Sequence, residues 1–193
     1  MIQIFSIIAS LFNIFSGATY FKQVLKNEST PNPATWLIWF VVTILNTATY
    51  FIIVNGSIWV SLSSIVLAIE IFAIFVLTLF KGKFTRLGKI EIASLLIAFG
   101  VGIFWKLTGD AIISNILLQV IFIISFYPTI HGLMFNNTFE KSTPWFLAVV
   151  AYGLQIAVVL LNPLSLVALT FPIVNLVGNG SIGLLAIYKR RQK

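Results

Sequence analysis

The sequence contains no cysteine among its 193 residues, which excludes disulfides, iron–sulfur clusters and thiol catalysis. Charge is almost as scarce. Charged residues make up 9% of the chain and only five are acidic, whereas a soluble domain carries about 25% charged residues. So few charges could not cover a water-facing surface, and a hydrophobic content of 59% excludes intrinsic disorder. Histidine occurs once, at His131. The sequence has neither an HExxH motif nor a carboxylate pair within a span, so no metal site, hydrolytic centre or cofactor is expected. Gly178-Asn-Gly180-Ser-Ile-Gly183 matches a dinucleotide fingerprint by letters, but it falls inside an apolar helix with no preceding strand. Close helix packing at these glycines is the expectation instead.

What is present is apolar sequence, with a mean hydropathy of +1.04. A spanning helix needs about 20 residues, so the length allows seven or eight spans and predicts no soluble catalytic or DNA-binding module within these residues. Seven segments emerge: Ile2–Phe21, Ala34–Val54, Ile58–Phe80, Ile90–Trp105, Ala111–Met134, Pro144–Leu161 and Ser165–Tyr188. Between them lie breakers: Pro31-Asn32-Pro33, Asn55-Gly56-Ser57, Lys81-Gly82-Lys83, Thr108-Gly109-Asp110, Asn136-Asn137-Thr138 and Asn162-Pro163. Met1 to Ser10 carries no positive side chain and no cleavage site follows, so it reads as a retained first span rather than a signal peptide.

Charge placement supports seven spans over six. With seven, Lys22, Lys26, Lys81, Lys83, Arg86, Lys89, Lys141, Lys189, Arg190, Arg191 and Lys193 share one side and only Lys106 faces the other. If the short fourth segment did not cross, the split would be seven against five. The positive-inside rule therefore predicts an outside N-terminus and a cytoplasmic C-terminus, and it accounts for the net charge of +7 without a nucleic-acid partner.

The chain also repeats itself. Tyr20-Phe-Lys-Gln-Val-Leu closes the first span and Tyr127-Pro-Thr-Ile-His-Gly closes the fifth; each is followed by a polar stretch, a proline and a tryptophan. From there Trp36, Thr43 and Asn46 match Trp145, Tyr152 and Gln155 without a gap. A duplication of three helices follows, with residues 1–80 as the first unit, 81–110 as a linker span and 111–193 as the second. The odd linker helix gives both units the same orientation. The expected fold is thus all-α and membrane-integral, with seven helices in a 3+1+3 arrangement, N-terminus out and C-terminus in.

This layout, with the segments beginning at Tyr20 and Tyr127, resembles the SWEET / PQ-loop transporters. Where that family has a Pro-Gln pair, the chain has Phe21-Lys22 and Pro128-Thr129. Trp36-Leu-Ile-Trp39 is in addition similar to vitamin carriers of the PnuC type, which share the layout. The resemblance implies alternating access, a substrate held by spans two, three, six and seven with Asn175 among its contacts, and hinges at Pro128 and Pro172.

The residues themselves point to a polar interior. Glu70 lies near the middle of span three. A charge there costs about 2.5–3.5 kcal/mol on insertion scales, so it is a functional candidate by default, as a proton-coupling or cation-binding group. The competing reading is a protonated structural glutamate bonded to a neighbouring helix. Asn46, Gln155, Asn175 and Asn179 are expected as hydrogen-bonding contacts to a solute, and Trp36, Trp59, Trp145 and Tyr152 as aromatic walls or gates. Helix–helix hydrogen bonding is the alternative for each amide. The partners expected are the lipid bilayer and a small polar solute; homo-oligomerisation stays open. The function expected is a carrier in a bacterial cytoplasmic membrane, not an enzyme, with a receptor or a structural membrane protein as alternatives.

Overall fold

The computed structural model describes residues 1–81, 89–135, 138–162 and 165–191. Lys83, Arg86 and Lys193 of the charge pattern lie outside the described residues, as do Gly82, Asn136, Asn137 and Pro163 of the connectors. The described chain is helical throughout: α1 (Ile2–Leu25), α2 (Pro33–Ile53), α3 (Ile58–Lys81), α4 (Lys89–Thr108), α5 (Ala111–Phe135), α6 (Ser142–Leu161) and α7 (Thr170–Arg191), with a short 3-10 turn at Leu166–Leu169 before α7. All seven long helices have the length and apolarity to cross a membrane.

Local chemistry sets the helix ends. Asn32 caps α2 by accepting a hydrogen bond from the Ala34 N–H at 3.0 Å, and Pro33 occupies the first helical turn, where a missing N–H costs nothing. Between α2 and α3 the chain reverses through Asn55 and Gly56, both at positive φ, where a side chain is disfavoured and glycine is free. Gly109, at φ 71°, does the same before α5, and the Asp110 carboxylate accepts from the Ile113 N–H at 2.9 Å to cap that helix.

Packing turns the usual pattern of a soluble protein inside out. Ile4, Ile7, Leu11 and Ile14 of α1 face outward, while Ser6, Ser10, Asn13 and Ser16 of the same helix are buried. Small and polar residues on the inner face let backbones approach and bond each other, and lipid solvates the outer face. Six helices close a ring in the order α1, α3, α2, α5, α7, α6, and α4 packs outside it against α5 and α2.

Two seams of the ring are closed differently. Between α2 and α5, Asn46 Oδ1 accepts from Asn115 Nδ2 at 3.0 Å and from Gln119 Nε2 at 2.8 Å, Asn115 also donates to Thr49, and Trp39 Nε1 donates to Ser125 Oγ at 2.6 Å. Between α1 and α6 the side-chain hydrogen bond is Ser16 Oγ to Pro144 O, at 2.8 Å.

Glycine carries two close approaches. A Cβ on Gly178 would overlap the Phe126 ring, and one on Gly183 would crowd Phe146 and Trp145 at 3.2–3.3 Å, so these two glycines of α7 serve close helix packing as expected, whereas Gly180 has only Val149 at 3.7 Å. On α1, Gly17 forms the seat of the Glu70 side chain.

Candidate functional site

Inside the ring lies a cavity of about 50 Å³, room for a few waters or one very small solute. Its polar wall is built from three helices. Glu70 on α3 extends across Gly17 of α1, so closely that a Cβ there would overlap its Cγ and Cδ and stand 2.7 Å from Oε1. Glu70 Oε2 is shielded from solvent and has no hydrogen-bond partner among the described residues. Asn13 of α1 donates to Ser63 Oγ at 2.8 Å, which leaves its buried Oδ1 unbonded. Asn175 and Asn179 of α7 turn their Nδ2 groups back onto their own helix, to Phe171 O at 3.0 Å and Asn175 O at 2.8 Å.

Aromatic layers close both ends. Toward the C-terminal end of α1, Tyr20 lies 5.0 Å from Trp36 and 5.7 Å from Trp145, and Trp39 lies 4.9 Å from Trp36 and 6.1 Å from Trp145, between ring centroids. At the other end Phe171 stands at the centre of Tyr50, Phe122 and Tyr152, each 5.8–5.9 Å away. Burying such pairs stabilises each layer by about 0.5–1.5 kcal/mol per pair beyond area alone.

Beyond the tryptophan layer lies a vestibule of about 660 Å³, which shares Tyr20, Trp36 and Trp145 with the cavity and is lined also by His131, Glu91 and Glu140. Its rim is a joint between the two connectors that follow α1 and α5. The Thr30 N–H donates to Phe139 O and the Phe139 N–H donates to Thr30 Oγ1, both at 3.1 Å. Lys141 pairs with Glu28 at 2.8 Å and holds that carboxyl below its ordinary range.

Glu140 sits under this joint and accepts from the Tyr20 hydroxyl at 3.0 Å. Burial pushes its carboxyl up to about 8, against the lowering effect of the hydrogen bond from Tyr20. The folded protein therefore keeps a proton on Glu140 between about 4.5 and 8 that the unfolded chain has released. The stabilisation is complete below that window and is lost as pH rises through it. Glu140→Gln should flatten this descending slope of melting temperature against pH; an unchanged slope would assign it to other groups.

Of the residues read from the sequence, Glu70, Asn175, Asn179, Trp36, Trp145 and Tyr152 come together around the cavity. Asn46 and Gln155 do not line it. Asn46 is spent on Asn115 and Gln119, while Gln155 Nε2 donates to Val60 O at 2.6 Å and to the Tyr50 hydroxyl at 3.2 Å. Trp59 is 41% exposed at the start of α3, away from the cavity. Pro128 is inside α5 as expected. Pro172, expected to interrupt a span, instead stands third in α7 after the 3-10 turn, where the first N–H groups of a helix have no partner within it. It thus breaks no α7 hydrogen bond. The contribution of α1 was not anticipated: Asn13, Ser16 and Tyr20 all line the cavity. Their spacing of three and four, continuing Ser6 and Ser10, is a helical polar stripe that was available to be read.

No family model, curated protein or solved structure matches the chain.

Proposed function

We propose that the chain is a membrane carrier of the SWEET / PQ-loop kind, moving a small polar solute by alternating access with Glu70 as its proton-coupling group. The observation that carries this reading is a cavity between two aromatic layers, lined by a carboxyl group whose Oε2 has no partner among the described residues. Helix–helix glue would pair that oxygen, so its isolation weighs against a purely structural protein. Tyr20, Trp36 and Trp145 would be the gate on the vestibule side, and Tyr50, Phe122, Tyr152 and Phe171 the gate opposite.

The helix neighbours support two three-helix units of residues 1–80 and 111–193, joined by a linker in 81–110. Exchanging α1 with α5, α2 with α6 and α3 with α7 turns the α1–α3, α2–α3 and α1–α6 neighbours into α5–α7, α6–α7 and α5–α2, which are also neighbours. The joined connectors after α1 and α5 are consistent with the same orientation for both units. Placed N-out and C-in by the basic residues, the vestibule would open to the cytoplasm of a bacterial cell.

The test is solute uptake into proteoliposomes holding the purified protein. Sugars, amino acids, vitamin-like nucleosides and amines would be offered with and without an inward proton gradient. Uptake of one class, altered by the gradient, is the expected result. Absence of flux across the panel with folded protein would overturn the carrier; binding without flux would identify a receptor.

A further inference from the structure

The cavity wall has a sign. Glu70 is the one acidic side chain lining it, and neither lysine, arginine nor histidine lines it among the described residues. Its three asparagines have each committed Nδ2 to the protein: Asn13 to Ser63, Asn175 to Phe171 O and Asn179 to Asn175 O. What they offer the space is carbonyl oxygen, with one further N–H on each of Asn175 and Asn179. The hydroxyl of Ser16 is spent on Pro144 O, that of Tyr20 on Glu140 and the indole N–H of Trp39 on Ser125. The donors that remain on the wall, such as the Tyr152 hydroxyl, are neutral.

A site lined by a carboxyl group, amide oxygens and three indoles has the chemistry of a cation receptor. Carboxylate and carbonyl oxygens supply negative potential, and an indole attracts a positive group that reaches its face through the ring quadrupole. An anion would meet Glu70 with no counter-charge on the wall. An inorganic ion would be satisfied by oxygens alone and would gain little from three indoles.

We infer that the solute is a small organic cation, an amine or quaternary ammonium whose charged nitrogen faces Glu70 and the amide oxygens while its carbon surface lies on the tryptophans. The inference rests on the ligand-binding part of the carrier reading and is independent of whether the bound solute is passed through.

The probes are tetramethylammonium, choline and methylammonium, compared with dimethylbutanol, the uncharged carbon isostere of choline, and with sodium and glucose. Binding to the purified protein would be followed by calorimetry, and flux by uptake into proteoliposomes. At least one organic cation should bind, and dimethylbutanol should bind at least tenfold more weakly than choline. Glu70→Gln should weaken cation binding roughly 30-fold or more, since it leaves the desolvated charge unpaired. Trp39→Leu, which keeps the carboxylate, should weaken quaternary ammonium binding more than methylammonium binding. If folded protein binds none of the organic cations, or binds sodium or glucose in preference to them, the inference fails; flux of glucose in that case would leave the carrier standing. Cation binding without flux would overturn the carrier and uphold the cation site.

Discussion

Replacing Glu70 by glutamine is expected to remove the response of uptake to a proton gradient while the protein still folds. Glutamine keeps the shape of the side chain but cannot exchange a proton. Oε2 has no hydrogen-bond partner to lose, and an uncharged side chain at mid-helix is cheaper to place in the bilayer. Melting temperature should therefore hold or rise. A gradient of one pH unit corresponds to about 1.4 kcal/mol per proton, a tenfold accumulation ratio at most for one-to-one coupling. Uptake by the unaltered protein should change by up to that ratio when the gradient is imposed, rising if proton and solute travel together and falling if the solute displaces the proton from Glu70, and the ratio for Glu70→Gln should be one. An unaltered response in that variant would take Glu70 out of the coupling step.

Gly17→Ala should have nearly as large an effect on uptake without touching the carboxylate. The added Cβ would occupy the space of Glu70 Cγ and Cδ. A glutamate side chain can swing aside at modest cost, so the fold should survive while the carboxylate leaves its place, with uptake falling about tenfold or more for a displacement on the order of an ångström. Gly178→Ala offers the contrast. There the obstacle is the Phe126 ring, packed 5.5 Å from Trp39 between centroids. A ring so held cannot yield easily, and overpacking of this kind costs about 1–3 kcal/mol. Thermal melting and uptake measured on both variants separate the two effects. If Gly17→Ala melts as low as Gly178→Ala, Gly17 is a packing residue and not the seat of a functional group.

The seven helices were legible because bilayer thickness imposes a length that few other structures need, and because Asn32, Gly56, Gly109 and Asp110 mark the ends by local chemistry. Glu70 stood out for a similar reason, as a charge far from any span end. Depth along a helix can be read from sequence, but direction around it is set by neighbours that are distant in the chain. Asn46 and Gln155 match in sequence and in depth, yet one turns to α5 and the other to α3 and Tyr50. Trp59, expected as a wall or gate, lies eleven residues before Glu70, about three turns away, and at the helix start it is 41% exposed. Asn13 carries no charge and has no counterpart in a motif, so only the three-and-four spacing of the polar residues of α1 marks it as facing inward.

The unequal seams give the ring a spine and a fore-edge. At α2 and α5, Asn46, Asn115, Gln119 and Thr49 are locked by directional bonds, Trp39 is tied to Ser125, and α4 lies across both helices like a binding strip. Sliding there would strand several buried amides at once, each at about 1–3 kcal/mol. At α1 and α6 the helices themselves are tied by Ser16 to Pro144 O, and the edge is latched at one end by the connectors, through Thr30 with Phe139, Lys141 with Glu28 and Tyr20 with Glu140. Movement of one half against the other would therefore be a hinged opening like that of a book, and it would have to release this clasp before Tyr20 and Trp145 part.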